Sequence, residues 1–485
     1  MGQTAAAGRR VFSSAVQGPR LTAMVWALAA VGSFHAAYAM PAFFPLMVIF
    51  AAGTAGAAWI DSARGAFWLG LGIGFAIYAP HLFFFARIFH FFAISLWLIL
   101  AVWVGFFVLL AHYARRRFPR WASLVIFPIL WMGLEYFRSE LYPLRFAWLT
   151  PGLAFPPEGA AGVVGVYGIG GLLMLLATGA LLVGRAWRFP ALAAAVAIVG
   201  CAPLLDRGGE GGRAGAGRTG PLIVGIQSAA VPGCLDRALA AYPNADLFIL
   251  SEYSFQTPPP SAVRAWCAAH QKYLLAGGIR YLDPGPGVPR DAFRDTAFVV
   301  GPDGSLVFEQ AKSVPIQFMS DGLPAAGQQL WHSPWGDIGV CICYDLSYTR
   351  VTDRLVKLGA TMLIVPAMDV TSWGLHEHQL HARIGPMRAA EYGIPVVRVC
   401  SSGISQIIDR SGQVTASAPF PGPGAMLAGR VAMGATGRLP ADRVAARWCA
   451  WAAIGDGVVE LSLAARRRVA DSRMGRRKAL AVTPG

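Results

Sequence analysis

Long apolar runs separated by short polar segments dominate the first 205 residues. Seven runs approach the length of about 20 residues that an α-helix needs to cross a bilayer. The pattern therefore predicts a transmembrane domain over residues 1–206 with about seven helices. The predicted spans are 21–40, 43–60, 66–86, 92–113, 121–137, 162–184 and 189–205.

The pattern changes after a glycine-rich segment, RGGEGGRAGAGRTG, which predicts a flexible linker over 207–220. From residue 221 onward, short strand-like runs such as ADLFILSE, SLVFEQAK and IGVCICYD alternate with helical segments. Continuous apolar strands alternating with helices are typical of an α/β domain whose sheets are covered on both faces. We predict such a domain over 221–440.

The last segment, 441–485, contains the moderately apolar run ARWCAWAAIGDGVVELSLAARRR followed by further arginines. Asp456 and Glu460 would make a complete membrane crossing costly, because a charged side chain in the bilayer is unfavourable. We therefore predict a weakly apolar helix that lies at the membrane interface or does not span, followed by a basic tail.

Composition supports the membrane interpretation. Hydrophobic residues make up 55% of the 485 residues, mean hydropathy is +0.50 and only 14% of residues are charged, against about 25% in soluble proteins. This excludes a chain made only of soluble domains. The net charge of +15 comes from arginines clustered between apolar runs, which favours an anionic membrane surface over nucleic acid as the partner.

The arginines also predict the topology. With the N-terminus inside, ten arginines lie in inner segments and three, Arg87, Arg138 and Arg145, lie in outer loops. This bias agrees with the excess of positive charge in cytoplasmic loops. Seven spans then place residue 206 and everything after it on the outer side. An alternative is a cleaved signal peptide, because the RR pair and apolar run precede AYA at 37–39.

Two cysteines, Cys341 and Cys343, stand two residues apart at the end of a predicted strand, where side chains would share one face. The chain has seven cysteines, which excludes a complete disulfide framework, and it has no CxxC or zinc-type spacing. Either both are small core residues, or Cys343 is a nucleophile exposed where the strand turns.

Two other strands also end on a polar residue. Glu252 ends ADLFILSE and Lys312 ends SLVFEQAK. Each alone could be a surface residue. Together with Cys343 they can provide a base, an ammonium that stabilises an oxyanion, and a thiol nucleophile. That set suits acyl transfer or hydrolysis of amides and nitriles.

The order Glu252, Lys312, Cys343 resembles the triad of the nitrilase (carbon–nitrogen hydrolase) superfamily. The segments MLIVPAMDVTSW and HARIGPMRAAEYGIPVVRVCSSGISQIIDRSGQV, together with CYD, resemble its membrane-bound branch, the bacterial apolipoprotein N-acyltransferases. WMGLEYFRSELYPLRFAW and GVYGIGGLLMLL are similar to that branch's fifth and sixth spans. The resemblance covers roughly 20–430.

This resemblance implies a multi-span helical domain followed by a nitrilase-like α-β-β-α sandwich in a bacterial inner membrane, with the catalytic domain on the periplasmic side. It implies a phospholipid acyl donor, the diacylglyceryl-cysteine amine of a lipoprotein as acceptor, and no metal or organic cofactor. Glu252 would be the base, Lys312 would stabilise the oxyanion and Cys343 would carry the acyl group as a thioester. Tyr344 and Asp345 would support the neighbouring nucleophile, and Trp373 and Met319 would belong to the loops that contact substrate.

Departures from the family pattern keep other functions open. The family has a glutamate soon after the triad lysine, where this chain has KSVPIQFMSDG; Asp321 is the nearby carboxylate, and we do not predict that it substitutes. A family tryptophan after the first strand is absent, and Asp345 replaces a glutamate. The alternatives are a membrane-tethered amidase, an N-acyltransferase with another amine acceptor, and a non-catalytic membrane interaction module.

Other polar groups have simpler interpretations. HEHQLH (376–381) lacks the spacing of a zinc motif, because His376 and His378 do not share a helical face, so we predict no metal there. His381 matches the family's helix, and we interpret it as structural. Glu135 and Arg138 mark either a functional polar site or a structural pair near the outer interface.

Overall fold

The N-terminal part of the chain is helical. The structure is a computed structural model and describes residues 4–157, 159–206, 220–228, 233–285, 289–434 and 436–481. A helix lies at each of the seven predicted span positions, and a short extra helix, α4, lies between the third and fourth. The bounds are α1 (Thr4–Ala39), α2 (Met47–Ala57), α3 (Ala63–His81), α4 (Phe84–Phe89), α5 (Ala93–Arg117), α6 (Ser123–Tyr136), α7 (Ala161–Leu182) and α8 (Arg188–Asp206). The predicted linker lies outside the described residues, except for Gly220.

Within the described residues, four helical segments are long and apolar enough to cross a membrane. They are Leu21–Ala39, Phe84–Arg117, Ala161–Leu182 and Arg185–Ala202. The segment Pro41–Ala57 is apolar but shorter. By length and composition, four of the described segments can cross a membrane. That the chain crosses it seven times stays a prediction.

Helix packing in this bundle depends on small residues. A Cβ atom added to Gly74 of α3 would lie 2.7 Å from Cα of Ala101 on α5. The two backbones can approach this closely only because glycine has no side chain, which is a common device between membrane helices.

The second half contains two six-stranded sheets, ordered β12-β1-β2-β3-β4-β5 and β11-β10-β9-β8-β7-β6. Within each sheet three neighbouring strands are parallel, β1 to β3 and β7 to β9. The strands are β1 (Leu222–Gln227), β2 (Leu247–Leu250), β3 (Tyr273–Tyr281), β4 (Phe293–Val300), β5 (Leu306–Ala311), β6 (Leu330–Ser333), β7 (Gly336–Val340), β8 (Met362–Ala367), β9 (Val396–Cys400), β10 (Ser405–Ile408), β11 (Val414–Ala418) and β12 (Ala425–Arg430). The helices are α9 (Cys234–Ala241), α10 (Ser261–His270), α11 (Thr349–Leu358), α12 (Leu375–Ala382) and α13 (Ile384–Tyr392).

The sheets form the middle layers of a sandwich. Apolar side chains of both, including Ile249 and Val397, form one core between them. Leu235 of α9 and Cys267 of α10 pack on the outer face of the first sheet. The outer face of the second sheet shares a continuous core with α13 and the helical bundle. This arrangement confirms the predicted fold, a helical region followed by a nitrilase-like two-sheet domain.

Buried polar contacts fix the bundle to the second sheet. The Glu140 carboxylate accepts hydrogen bonds from the Thr349 backbone N–H and hydroxyl, each at 2.8 Å. Trp148 Nε1 donates to Ser347 Oγ at 2.9 Å, and the Val166 backbone N–H donates to Glu391 at 2.7 Å. The loop after α6 is therefore held directly against the segment that follows β7.

The C-terminal segment forms one helix, α14 (Asp442–Ala481). It lies along α6, where a Cβ atom on Gly133 would meet the Cys449 carbonyl oxygen at 2.2 Å. This helix is not among the segments that satisfy the length and hydropathy criterion for a span. A helix is present as predicted, and its position relative to the bilayer stays a prediction.

Candidate active site

Three strand ends bring Glu252, Lys312 and Cys343 together. Glu252 follows β2 and Lys312 follows β5 in the first sheet, whereas Cys343 follows β7 in the second. All three side chains are almost completely buried. The facing ends of two sheets therefore assemble residues that lie 91 and 31 positions apart in the sequence.

Lys312 lies among three carboxyl groups. Its Nζ is 2.7 Å from Glu252 Oε1, 2.8 Å from Asp321 Oδ2 and 3.5 Å from Asp295 Oδ2. Burial lowers the pKa of Lys312, but these acids outweigh it and hold the pKa well above its ordinary value. The amine is therefore a permanent cation at the site.

Glu252 is held as a carboxylate. Burial raises its pKa, but Lys312 and hydrogen bonds from Asp295 and Cys343 outweigh burial, so the pKa lies below its ordinary value. Its second oxygen accepts the Met368 backbone N–H at 2.7 Å. Asp295 has the opposite state: burial and the negative charge of Glu252 raise its pKa well above the usual range, so it keeps a proton.

The chain turns sharply at Cys343. Strand β7 ends at Val340, three residues before the predicted end, and Cys343 has a φ of 49°, which is uncommon for a residue other than glycine. The prediction that Cys341 and Cys343 share a face is wrong. Cys341 packs in the core shared with the bundle, and Cys343 lies in the core between the sheets. The positive φ at Cys343 directs its side chain into the core between the sheets, away from the core that contains Cys341.

The thiol is protonated in the resting site. Burial, followed by the negative charge of Glu252, raises the pKa of Cys343 well above its ordinary value, and Lys312 offsets this only in part. A preformed thiolate is therefore not favoured at neutral pH. The site instead supplies an ionised carboxylate, Glu252, that interacts with the thiol, and general-base activation requires such a base.

Asp345 connects the turn after Cys343 to the segment after Lys312. Its carboxylate accepts backbone N–H groups of Ser313, Val314 and Ile342 at 2.7–3.2 Å. Burial raises the pKa of Asp345 to about 6, against the effect of these hydrogen bonds. The residue is thus placed to fix the relative positions of Lys312 and Cys343.

A pocket beside Cys343 encloses about 830 Å³ of space, open solvent at its mouth included. The predicted residues Tyr344, Trp373 and Met319 all line it. Apolar side chains of α4 and α5 also line it, including Phe84, Phe85, Ile88, Phe89, Leu96 and Leu100. Because Phe318 and Met319 are exposed at 67% and 40%, the loop after Lys312 presents apolar side chains at the surface.

Polar groups that the sequence interpretation undervalued lie around the triad. Asp321 contacts Lys312 and accepts a hydrogen bond from the Tyr253 hydroxyl at 2.8 Å, although we did not predict it as a substitute for the missing glutamate. Asp369 stands two residues beyond β8, the same strand-end position that drew attention to Glu252 and Lys312. His381 lines the pocket. A polar residue just after a buried strand is the signal that could have found Asp369.

Among the described residues, three groups of side chains have the proximity that a metal site needs: Cys343–Asp369–His381, Asp369–Glu377–His378 and Glu252–Asp295–Asp321. In the last group the Lys312 ammonium already lies among the carboxyl groups. His378 bonds to the Gly374 carbonyl and Ser402, whereas His376 faces His81. The absence of a metal or organic cofactor stays a prediction.

Glu135 and Arg138 are both buried, and Glu135 Oε2 and Arg138 Nη2 have no hydrogen-bond partner among the described residues. Arg138 Nη1 donates to the Phe146 carbonyl at 3.0 Å. This contact stabilises the loop that leads from α6 to the pocket wall.

Comparison with known proteins separates the chain into the same two parts. Residues 22–181 match the apolipoprotein N-acyltransferase N-terminal domain, and residues 204–433 match the carbon–nitrogen hydrolase family. The apolipoprotein N-acyltransferase of Geobacter metallireducens is 26% identical over 467 residues, covering 84% of this chain and 88% of the relative. That of Azotobacter vinelandii is 27% identical, covering 79% and 78%.

Relatives outside this branch match a smaller share of the chain. An omega-amidase of Xenopus tropicalis is 27% identical over 165 residues, covering 31% of this chain and 55% of that protein. Nit3 of Saccharomyces cerevisiae, a solved nitrilase-superfamily structure, is 18% identical with a TM-score of 0.37 and covers 44% of this chain and 90% of that one. Because it joins the N-terminal domain of apolipoprotein N-acyltransferases to a carbon–nitrogen hydrolase domain, the chain belongs to the apolipoprotein N-acyltransferase branch of the nitrilase superfamily.

Proposed function

We propose that this protein transfers a fatty acyl chain from a phospholipid to the N-terminal diacylglyceryl-cysteine amine of lipoproteins, through a thioester on Cys343. One observation carries the proposal beyond the family relationship. The pocket that reaches Cys343 is walled by apolar side chains of the helical part, which provide a surface for an acyl chain.

In the first half-reaction, Glu252 takes the thiol proton of Cys343 as the sulfur attacks the phospholipid ester carbonyl. Lys312 stabilises the negative charge that develops on the carbonyl oxygen. The ester C–O bond then breaks, Glu252 returns the proton to the departing alkoxide, and lysophospholipid leaves. The acyl group remains on Cys343 as a thioester, and Glu252 is again a carboxylate.

In the second half-reaction, the lipoprotein amine attacks the thioester carbonyl. A C–N bond forms and the C–S bond breaks. Glu252 takes a proton from the attacking nitrogen and returns it to the Cys343 sulfur, which restores the thiol. This ping-pong sequence needs one base that alternates between states, and the carboxylate state of Glu252 supplies it.

The same proposal places the protein in a bacterial inner membrane as a multi-pass protein, with the catalytic domain at the periplasmic face. Four apolar helical segments of sufficient length support membrane insertion. The exposed apolar Phe318 and Met319 beside the pocket suit a site at the lipid surface, where both substrates reside.

The test follows the acyl group. The full-length protein in detergent micelles is incubated with phospholipid carrying an isotopically labelled acyl chain, and the Cys343 peptide is analysed by mass spectrometry. A synthetic diacylglyceryl-cysteine peptide is then added. We expect a labelled adduct on Cys343 that disappears as labelled amide forms. Cys343→Ala should form no adduct, and Cys341→Ala, two residues earlier, should form it.

Absence of an adduct in the parent would refute the nucleophile assignment. An adduct that water discharges and the peptide does not would refute the lipoprotein acceptor and favour a membrane-tethered hydrolase. Discharge by a different amine alone would favour another N-acyltransferase.

A further inference from the structure

His381 and Asp369 form a buried pair beside the nucleophile that the mechanism above does not use. His381 Nδ1 lies 2.8 Å from Asp369 Oδ1. Arg398 Nη2 contacts the other oxygen, Asp369 Oδ2. One ring nitrogen of His381, one oxygen of Asp369 and Cys343 Sγ all lie within 4.8 Å of one another. All three residues line the pocket.

The hydrogen bonds fix which nitrogen of His381 carries the proton. Burial raises the pKa of Asp369, but His381 and Arg398 outweigh burial and hold it well below its usual range. An ionised carboxylate only accepts hydrogen bonds, so His381 Nδ1 must donate to it. Arg398 Nη2 also lies 2.8 Å from Nδ1, but a nitrogen that bears a proton cannot accept from Arg398. In the neutral ring, Nε2 therefore keeps its lone pair.

That lone pair has no partner in the part of the chain that the structure describes. His381 Nε2 is buried and makes no hydrogen bond among the described residues. The ring is stacked on Trp148, with centroids 5.0 Å apart. A buried polar atom without a partner costs free energy, and such atoms in native proteins call for an explanation. A substrate group that donates a hydrogen bond to Nε2 would provide one.

We propose that His381, oriented by Asp369, is a second base that removes a proton from the ammonium form of the lipoprotein amine before it attacks the thioester. This inference rests on the proposed acyl transfer. An α-amine has a pKa of about 7.7–8.0 and arrives mostly as the ammonium at neutral pH, so it must lose one proton to become a nucleophile.

Glu252 cannot take that first proton and still complete the reaction. The nitrogen loses a second proton during attack, and Glu252 must receive it in order to return it to the Cys343 sulfur. His381 takes the first proton on Nε2 and becomes an imidazolium beside the Asp369 carboxylate. After the amide leaves, His381 releases the proton to water through the pocket mouth, and both bases return to their starting states.

The charges around the ring suit this role. The groups that face it are Asp369 and Arg398, with Glu252 and Cys343 beyond them and a protonated Glu377 on the same helix. Burial lowers the pKa of His381, against the effect of Asp369, so the ring is an unprotonated base in the resting site.

The test separates the two half-reactions in His381→Gln. Acylation of Cys343 by phospholipid should stay within about twofold of the parent. Discharge of the adduct at pH 7 by the diacylglyceryl peptide should slow about six- to elevenfold, since only about one sixth to one eleventh of an amine with a pKa of about 7.7–8.0 is neutral at this pH. It should recover at pH 9, where the amine is already neutral. Discharge by hydroxylamine, which is unprotonated at pH 7, should match the parent. The control is His378→Gln, because His378 is equally buried on the same helix. This variant should leave the ratio of the peptide discharge rate to the hydroxylamine discharge rate unchanged.

An equal loss with both nucleophiles, or in both half-reactions, would assign His381 a structural role and overturn the inference. If His381→Gln does not fold, the pH dependence of peptide discharge in the parent protein tests the inference instead. With His381 as the base, peptide discharge stays level between pH 6.5 and 8; without it, the rate falls tenfold per unit below the pKa of the amine. Failure of the parent to form any adduct would instead refute the proposed function.

Discussion

Replacing Lys312 by methionine should make the contribution of this site to folding stability depend on pH between 5 and 7. In the parent, that contribution does not change over this range. The substitution keeps most of the apolar stem and removes the ammonium from among Glu252, Asp321 and Asp295. At an effective dielectric constant of about 20, each of the two closest pairs, at 2.7 and 2.8 Å, amounts to about 6 kcal/mol of Coulomb energy. Desolvation offsets much of this, and removing one partner of a buried pair costs about 3–5 kcal/mol.

The sign of the pH dependence differs between parent and variant. In the parent, the pKa of folded Glu252 is depressed, so its contribution to stability is present at neutral pH and is lost only as the pH falls through that value, below 4.5. In Lys312→Met, the pKa of the same buried group rises above its unfolded value of about 4.3. The folded variant then binds a proton that the unfolded chain does not. Its unfolding free energy therefore increases by about 1.4 kcal/mol per unit as the pH falls from 7 to 5.

Thermal unfolding of the full-length protein in detergent, followed by tryptophan fluorescence at pH 7 and pH 5, measures this difference. For a domain of 150–250 residues, 1 kcal/mol corresponds to about 2–4 °C in Tm. We expect the Tm of Lys312→Met to lie roughly 10 °C below that of the parent at pH 7. At pH 5 the difference in Tm should be less than half as large. The control is Lys272→Met, because Lys272 is half-buried and its ammonium donates to the Pro243 carbonyl, with no carboxylate partner among the described residues. An equal deficit at both pH values, or no deficit at pH 7, would refute the charge balance described above.

Three further predictions concern the position and protonation of the nucleophile and its base. Gly277→Ala should slow acylation of Cys343 at least tenfold, because the new Cβ would lie 2.5 Å from Glu252 Cα. Gly327→Ala is the matched control: its new Cβ would have no atom within 4 Å, and the variant should form the adduct as the parent does. Glu252→Gln should slow adduct formation by about 10²–10⁴, measured by quenched-flow mass spectrometry, and a loss under tenfold would exclude Glu252 as the base. Alkylation of Cys343 by iodoacetamide should still rise with pH beyond 9, because burial raises the pKa of the thiol; a plateau below pH 9 would contradict the protonated resting state.

Much of the fold could be predicted because each element carries its own local signal. Helices α1 to α3 and α5 to α8 follow the apolar runs, and the strands before Glu252 and Lys312 are largely apolar segments bounded by polar residues. The positions of Glu252 and Lys312 therefore followed from strand ends that the sequence marks clearly, whereas β7 ends three residues before Cys343.

The rest of the site depends on contacts between distant segments. Asp321 lies in a loop with no regular pattern, and only the folded chain places it 2.8 Å from Lys312. Asp295 had a weak signal, as a charged residue inside a strand that is otherwise buried. The turn at Cys343 reversed its side chain, because a single positive φ at the end of a strand breaks the alternation on which the prediction relied.

The contribution of α4 and α5 to the pocket wall has a consequence for how substrate choice can change. In the proposed mechanism, bond making depends on Glu252, Lys312 and Cys343, whereas the surface that an acyl chain would touch is encoded more than 150 residues earlier, by residues of α4 and α5. Substitutions in these helices can lengthen, narrow or reshape the chain-binding wall without altering the chemistry at the sulfur. Acyl-chain preference is therefore a property that can diverge among related bacteria, or be engineered, through the membrane half alone.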